Sequence, residues 1–166
     1  MTEKFDNADA VLIDDYSWYE ANRENVNRLV AAGKTVVFVE LPPGEYRIGE
    51  TKIEVEKTKM GSYYFVSPSI SHPVVNWAKP MDFKFWYNQS KDYVTPFLPA
   101  VFTAPEWTPI LTSGNSDWLG DKGQTLAAAE LKYGKGYFRI CQVELMNRLK
   151  TNPVARRFVG ELLGKR

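Results

Sequence analysis

One cysteine and one histidine, Cys141 and His72, are all that this 166-residue chain contains of these two residue types. A single cysteine excludes an internal disulfide, and its place inside an apolar, strand-like run predicts a buried thiol. The usual zinc sites need several such side chains, so we expect no metal and no cofactor. A catalytic triad or dyad would have to use His72. That histidine precedes a proline outside any predicted strand end, which favours a structural or surface residue.

The chain also has little net charge and no long apolar run. A formal charge of +1 gives no electrostatic reason for binding nucleic acid or an anionic membrane. No stretch approaches the ~20 apolar residues of a membrane-spanning helix, and the first ten residues lack the apolar centre of a signal peptide. With 44% hydrophobic and 25% charged residues, the composition is typical of a soluble globular protein. We expect neither nucleic acid nor a membrane as a partner, and the compartment stays open.

A strand–helix–strand unit opens the chain. The apolar run at residues 10–13 predicts a strand, and the β-branched and aromatic run at 35–39 predicts a second, buried one. Between them, Ser17 and Glu20 have the spacing of a capping box, which predicts the helix start. Gly33 is placed to end the helix as its C′ residue. Two strands joined by such a helical crossover should lie parallel, with a right-handed connection.

Two hairpins and a terminal helix follow from local signals. A first strand this close to residue 1 leaves no room for the strand and helix that usually open a doubly wound sheet. We therefore expect a single α/β domain over residues 1–166, excised from a longer chain. The predicted hairpins join 46–48 to 52–56 through Gly49-Glu50, and 125–133 to 137–143 through Gly134-Lys135-Gly136, while Asn152 and Pro153 start the last helix.

Acidic residues follow three of the predicted strands. Because ligands of open α/β sheets bind beyond the carboxyl ends of the strands, these carboxylates could hold a divalent cation or act as an acid/base pair. The alternative is that strand ends are exposed and often acidic for no functional reason. The residues concerned are Asp14 and Asp15, Glu40, and Glu144.

A polar, glycine-rich loop over residues 113–123 is the second candidate feature. Its glycines do not have the spacing of a phosphate-binding loop. Trp118 within it is the best placed of five tryptophans to stack on a sugar or to join an interdomain interface, although most tryptophans are expected in the core. The candidate ligand-binding rim therefore comprises Asp14, Asp15, Glu40, Ser113, Asn115, Trp118 and Glu144.

Four segments, in this order and spacing, resemble an accessory domain of known type. They are VFVELPPG at 37–44, ILTSGN at 110–115, LAAAE at 126–130 and GKGYFRICQVEL at 134–145. The chain is similar, from about residue 8 to 163, to the class I glutamine amidotransferase-like (flavodoxin-like) domain toward the C-terminus of some bacterial glycoside hydrolase family 2 proteins, the β-galactosidase-type enzymes. The resemblance implies a flavodoxin-like, three-layer α/β sandwich whose sheet is mostly parallel, with antiparallel hairpin additions.

The residues that make such domains catalytic are missing at the matching positions. Active class I amidotransferases carry a nucleophilic Cys in a G-x-C-x-G turn, and here the matching turn, residues 40–44, has none. Their Q-F-H-P-E pattern matches Gln142–Met146, which has Glu144 where the His would be. Without nucleophile and base, a thiolate–imidazole mechanism cannot operate. The resemblance therefore implies no catalytic residue in this chain.

Three functional hypotheses remain at this stage. The first is a non-catalytic accessory domain of a carbohydrate-active, β-galactosidase-like enzyme, packed against neighbouring domains or a partner subunit. The second is a sugar- or small-molecule-binding module that uses the candidate rim. The third, an enzyme that uses the acidic strand ends with a metal, is the least favoured.

Overall fold

The computed structural model describes residues 8–59, 62, 66–115 and 124–164. Strands dominate this part of the chain, and its helices are few. In chain order the elements are β1 Ala10–Ile13, α1 Tyr16–Ala21, α2 Arg23–Ala31, β2 Thr35–Val39, β3 Gly44–Ile48, β4 Thr51–Lys57, β5 Ser67–Pro68, a 3₁₀ helix Pro80–Phe83, β6 Tyr87–Asn88, β7 Tyr93–Val94, β8 Ala100–Thr103, β9 Thr108–Gly114, β10 Gln124–Tyr133, β11 Gly136–Cys141 and α3 Pro153–Leu163.

Nine of these strands form one mixed sheet, and most of its pairs are antiparallel. Its main path runs β1-β2-β11-β10-β8-β4-β3, β9 pairs with β10 and β5 pairs with β9. Among the strands in the described ranges, parallel pairing is confined to β1 with β2 and β2 with β11. The sheet curls into a half-barrel, and β10 shifts register against β9 at residues 126–129. Strands β6 and β7 form a separate two-stranded ribbon.

The expected flavodoxin-like, glutamine amidotransferase-like three-layer sandwich with a mostly parallel sheet is therefore wrong. Parallel neighbours need a long crossover, usually a helix, and in the described chain only α1 and α2 join two consecutive parallel strands. Strands β3 and β4, and β10 and β11, are joined by tight turns, which reverse the chain direction. The predicted hairpins are confirmed, and they supply four of the nine strands of the sheet.

The opening strand–helix–strand unit has the predicted layout with a different cap. Asp15 is the N-cap of α1, where its Oδ1 accepts the backbone N–H groups of Ser17 at 2.9 Å and Trp18 at 3.4 Å. The capping box expected from Ser17 and Glu20 is thus wrong. Gly33 is confirmed as the C′ residue of α2, with φ +118°. Its N–H donates to Val30 at 2.9 Å, and the next N–H donates to Leu29 at 3.1 Å, which is the Schellman pattern.

Two apolar cores lie on opposite faces of the sheet. Alternation along β2 sends Val36 and Phe38 toward α1 and α2, and Val37 toward α3. Cys141, the last residue of β11, is fully buried on the α3 face, as predicted. Burial raises the pKa of its thiol to about 12. No helix in the described ranges is long and apolar enough to cross a membrane.

A buried charged cluster joins the sheet to α3. Arg139 on β11 is fully buried, and its Nε donates to Glu130 on β10 at 2.6 Å. Its Nη1 donates to the carbonyl groups of Glu161 at 3.3 Å and Gly164 at 3.2 Å, and also to that of Leu162. His72 packs against the same carboxylate, with its Nε2 3.4 Å from Glu130. The single histidine is therefore a buried structural residue.

Removing Arg139 should be costly because it would leave the Glu130 carboxylate buried without its main partner. Arg139→Met should lower the free energy of unfolding by about 3–5 kcal/mol. Arg47→Met is the matched control, since Arg47 pairs with Glu50 at 3.1 Å with both side chains exposed; we expect a change of about 0.5 kcal/mol or less there. Urea unfolding measures both, and equal losses would contradict the assigned role of Arg139.

Candidate functional site

The carboxyl ends of the three parallel strands meet at one edge of the sheet. This rim receives Asp14 and Asp15 after β1, Glu40 after β2, and Glu144 three residues after β11. Strand β9 runs in the same direction as β11, because each is antiparallel to β10, so Ser113 and Asn115 lie toward the same edge. These segments therefore end at the same edge of the sheet. Their side chains have different surroundings.

Glu40 is held in an unusual backbone conformation by a buried amide. Its φ is +51°, in the left-handed region that non-glycine residues rarely adopt. Directly after it, the Leu41 N–H donates to Gln142 Oε1 at 2.8 Å, and Gln142 Nε2 donates to the Leu41 carbonyl at 2.8 Å. Gln142 is fully buried, so its amide continues the β2–β11 ladder for one more step. Such strain costs roughly 1–3 kcal/mol and is kept where the surrounding structure enforces it.

The carboxyl group of Glu40 lies near that of Glu144. Burial of part of the side chain raises the pKa of Glu40, and the neighbouring Glu144 carboxylate raises it further. The backbone N–H of Leu145 and the Arg148 guanidinium act in the opposite direction. The rim thus joins two carboxylates and one arginine from β2 and from the segment that follows β11.

Arg148 fixes Glu144 and ties it to a distant loop. Its side chain is fully buried, and Nη2 donates to Glu144 Oε2 at 2.7 Å. The same guanidinium donates to the carbonyl groups of Trp86 at 2.9 Å and Pro96 at 3.0 Å. The backbone N–H of Glu144 donates to the Phe97 carbonyl at 2.7 Å. Residues 144–148 are therefore fastened to the loop over residues 86–97.

A pocket of about 270 Å³ opens beside Glu40. Lys57, at the end of β4, and the buried Gln142 are among its lining residues. The remainder of the wall is largely apolar. The lining residues are Glu40, Leu41, Pro42, Pro43, Lys57, Pro99, Ala100 and Gln142.

The other predicted rim residues have structural partners or lie elsewhere. Asp15 caps α1, and hydrogen bonding from the Ser17 side chain lowers its pKa. Asn115 is buried, where its Oδ1 accepts the Lys59 N–H at 2.7 Å and the hydroxyl of residue 62 at 3.0 Å. Ser113 is buried and its carbonyl accepts the Thr125 hydroxyl at 2.8 Å.

Asp14 and Trp118 are the two remaining residues of the predicted rim. Asp14 is exposed. Trp118 lies outside the described residues. Within the described ranges there is no group of three or more His, Cys, Asp or Glu side chains placed to hold a metal ion. Sequence reasoning missed Gln142 and Arg148, and only the four-residue spacing of Glu144 and Arg148 was a local signal for either.

The chain resembles known proteins in fold alone. No protein-family model and no curated protein matches it. A cytoplasmic protein from Salmonella typhimurium aligns over 93% of this chain and 70% of its own, with 12% identity and a TM-score of 0.54. A cold-adapted β-galactosidase from Rahnella sp. R3 aligns over 95% of this chain and 23% of its own, with 12% identity and a TM-score of 0.50.

A second β-galactosidase, from Bacillus circulans sp. alkalophilus, aligns over 91% of this chain and 21% of its own. Its identity is 14% and its TM-score is 0.48, too low to carry an argument. This chain therefore spans 21% and 23% of the length of the two β-galactosidase chains that it matches. Identities this low show a shared fold and nothing about substrate or activity.

The raised pKa of Glu40 predicts how stability depends on pH. A carboxyl whose pKa is higher in the folded chain contributes fully below its usual value of 4.5, and this contribution is lost as the pH rises through the folded pKa. Glu40→Gln removes that titration. The stability of the variant relative to the unmodified chain should therefore be greater at pH 7 than at pH 4. Urea unfolding across this range measures the difference, and a difference that is constant or falls would contradict the assignment.

The left-handed backbone at Glu40 predicts an inverted preference between glycine and alanine. Both substitutions remove the carboxylate, so their difference isolates the backbone. Glu40→Gly should be more stable than Glu40→Ala by about 1 kcal/mol. At Glu45, an exposed glutamate within β3, Gly should instead be less stable than Ala by about 0.5–1 kcal/mol. Thermal unfolding of the four variants tests this, and the same order at both positions would contradict it.

Proposed function

We propose that this chain is a non-catalytic accessory domain of a carbohydrate-active, β-galactosidase-like protein, and that it acts by packing against neighbouring domains or a partner subunit. The observation that carries the proposal is a set of five exposed apolar side chains on two neighbouring segments, which we call the apolar patch. Contiguous exposed apolar surface marks interaction sites in soluble proteins. The patch comprises Phe85, Tyr93, Val94, Met146 and Leu149, which are 54%, 60%, 40%, 69% and 36% exposed.

The two segments that form the patch are fastened to each other. β6 and β7 pair Tyr87 with Val94, which brings the two ends of the first segment together. The N–H of Gln89 donates to the Asn147 carbonyl at 2.8 Å, and Arg148 holds the Trp86 carbonyl at 2.9 Å. A surface tied down from both sides suits a permanent interface, because little conformational entropy remains to be lost on association.

One patch residue has a strained backbone. Phe85 has a φ of +55°, and its neighbours in the two segments, Asp92 and Asn147, have φ values of +63° and +58°. Asp and Asn adopt this region more readily than other residues, whereas Phe85 costs of order 1–3 kcal/mol there. The strain at Phe85 favours a functional reason for presenting this side chain outward.

The state of the two candidate nucleophilic groups supports a role without catalysis. Cys141 is fully buried with a pKa of about 12, so its thiol is neither ionised near neutral pH nor reachable by a substrate. His72 is buried against Glu130. The fold shared with a segment of the Rahnella β-galactosidase supports a place within a larger assembly.

A second function is favoured by one observation, the pocket beside Glu40. A carboxyl group, a lysine and a buried amide around about 270 Å³ are the elements of a small-molecule or sugar site. In this alternative the strained Glu40 turn would present the carboxylate to the ligand.

Substitution of the patch tests the first proposal. Phe85→Lys with Met146→Lys should change the stability of the isolated chain by about 0.5 kcal/mol or less, because both side chains are largely exposed. The same pair in the full-length protein from its natural host should weaken its assembly or interdomain docking, measured by light scattering and limited proteolysis. Ile70→Lys, at a site 72% exposed in another loop, is the control. Unchanged assembly with the patch variant would refute the proposal.

Thermal unfolding against galactosides and other sugars separates the two functions. The accessory role predicts no shift in melting temperature. The alternative predicts a saturable rise that Glu40→Gln or Lys57→Met abolishes. Such a rise would replace the first proposal with the second.

A further inference from the structure

Strand β3 is an edge of the sheet, and in the described part of the chain β4 is its only strand partner. A two-residue turn joins the strands, so Ile48 and Thr51 form the first hydrogen-bonded pair. Bonded and non-bonded pairs alternate along an antiparallel ladder. The backbone N–H and C=O groups of Glu45 and Arg47 therefore point away from β4, where an edge strand can accept a further strand.

A tyrosine hydroxyl from α1 occupies both outward groups of Arg47. The hydroxyl of Tyr16 accepts the Arg47 N–H at 2.9 Å and donates to the Arg47 carbonyl at 2.9 Å. It also accepts from the Arg23 guanidinium at 3.3 Å. One turn further along α1, the Tyr19 hydroxyl accepts the Gly49 N–H at 3.0 Å. Helix α1 thus bonds to this edge in the place that an added strand would take.

Ring packing holds Tyr16 in this position, and the edge beside it is open to solvent. The Tyr16 ring contacts the rings of Tyr46 and Tyr19, with centroids 4.7 Å and 5.7 Å away. A groove of about 680 Å³ is lined by Tyr16, Tyr46, Glu45 and Arg47, among others. Another chain can therefore approach β3, and the Tyr16 side chain is what it meets at Arg47.

Strand β3 is complementary to itself in one antiparallel register. When Tyr46 of one copy faces Tyr46 of a second, Glu45 of each copy lies opposite Arg47 of the other, on the same face of the sheet. A shift by two residues in one direction sets Glu45 opposite Glu45, and in the other direction Arg47 opposite Arg47. Only the first of these registers pairs unlike charges, and it closes as a two-fold dimer.

We propose that the Tyr16 side chain prevents β3 from pairing with the β3 strand of a second copy. In the complementary register, each residue pair of Glu45 with Arg47 exchanges two backbone hydrogen bonds. Two such pairs make four bonds, and every one of them uses the N–H or the C=O of an Arg47. Tyr16 occupies both of these groups, so it blocks all four bonds.

The charges on the β3–β4 hairpin favour a second copy as the blocked partner. Within one copy, the register sets Glu45 opposite Glu54 and Arg47 opposite Lys52, and like charges in these positions are destabilising. In the dimer, Arg47 of the second copy would lie on the other side of Glu45. Arg47 already pairs with the exposed Glu50 at 3.1 Å, but a guanidinium has five donors and can serve both carboxylates.

The test measures association of the full chain by sedimentation, and hydrogen exchange by NMR. Tyr16→Ala removes the hydroxyl and the ring, so it should add a concentration-dependent doubling of mass with slowed exchange of the Glu45 and Arg47 amides. Tyr46→Phe is the matched control, since it removes a neighbouring hydroxyl that donates to the Pro42 carbonyl at 2.6 Å; it should associate no more than the unmodified chain.

Two further variants distinguish strand pairing from association of a partly unfolded chain. Tyr16→Phe keeps the ring, and the Arg47 amide should exchange about fivefold faster because its partner is lost. Added to Tyr16→Ala, Arg47→Glu sets like charges opposite each other and should weaken association about fivefold or more, and a further Glu45→Arg should restore it.

Four results would overturn the inference. They are no added association of Tyr16→Ala, association that is insensitive to Arg47→Glu, unchanged exchange at Arg47 in Tyr16→Phe, or slowing of the Glu45 and Arg47 amides when the unmodified chain is concentrated. The edge shares no residue with the apolar patch, so the outcome is independent of the proposed function.

Discussion

The buried pair of Arg139 and Glu130 is the interaction on which the rest of the structure depends. Burying a guanidinium away from water costs several kcal/mol unless its donors are satisfied. Here a carboxylate on β10 accepts from Nε of Arg139, and the last carbonyl groups of α3, the negative end of that helix, accept from its Nη1. The pair lies where the sheet changes from antiparallel to parallel pairing, because β11 is antiparallel to β10 and parallel to β2. Arg139 and Glu130 therefore join β10, β11 and α3 at the boundary between the antiparallel and the parallel parts of the sheet.

The segment that follows β11 positions residues of the rim. One residue beyond the strand, Gln142 fixes the turn that presents Glu40. A few residues further on, Arg148 fixes Glu144 and secures the ribbon of β6 and β7. Residues 142–149 thus contribute both to the rim and to the apolar patch. A substitution at Arg148 would disturb both, which sets this residue apart from those that serve only one surface.

Local signals explain how much of this was predictable from sequence. Strands β1 and β2, the hairpin turns at Gly49 and Gly134, and the N-cap Asn152 are encoded within a few residues, and each was predicted correctly. The fold class was wrong because the direction of β8 and β9 depends on pairing with distant strands, which no local pattern reveals. The cap of α1 was misplaced because Asp15 and Ser17 are both good caps, and which oxygen accepts the first N–H groups of the helix depends on the folded structure. Gln142 and Leu41 are 101 residues apart in sequence, so their contact has no local signature.

The single cysteine can report local opening of the fold. Cys141 ends the strand shared by the two halves of the sheet, and its sulfur is sealed beneath the α3 layer. A thiol-specific alkylating reagent can reach it only when that layer lifts or the whole chain unfolds. Because the chain has no other thiol, the rate of alkylation at low denaturant concentration reports how often α3 separates from the sheet at Cys141. The rate at which this buried thiol is alkylated therefore reports the motions of the sheet that expose it.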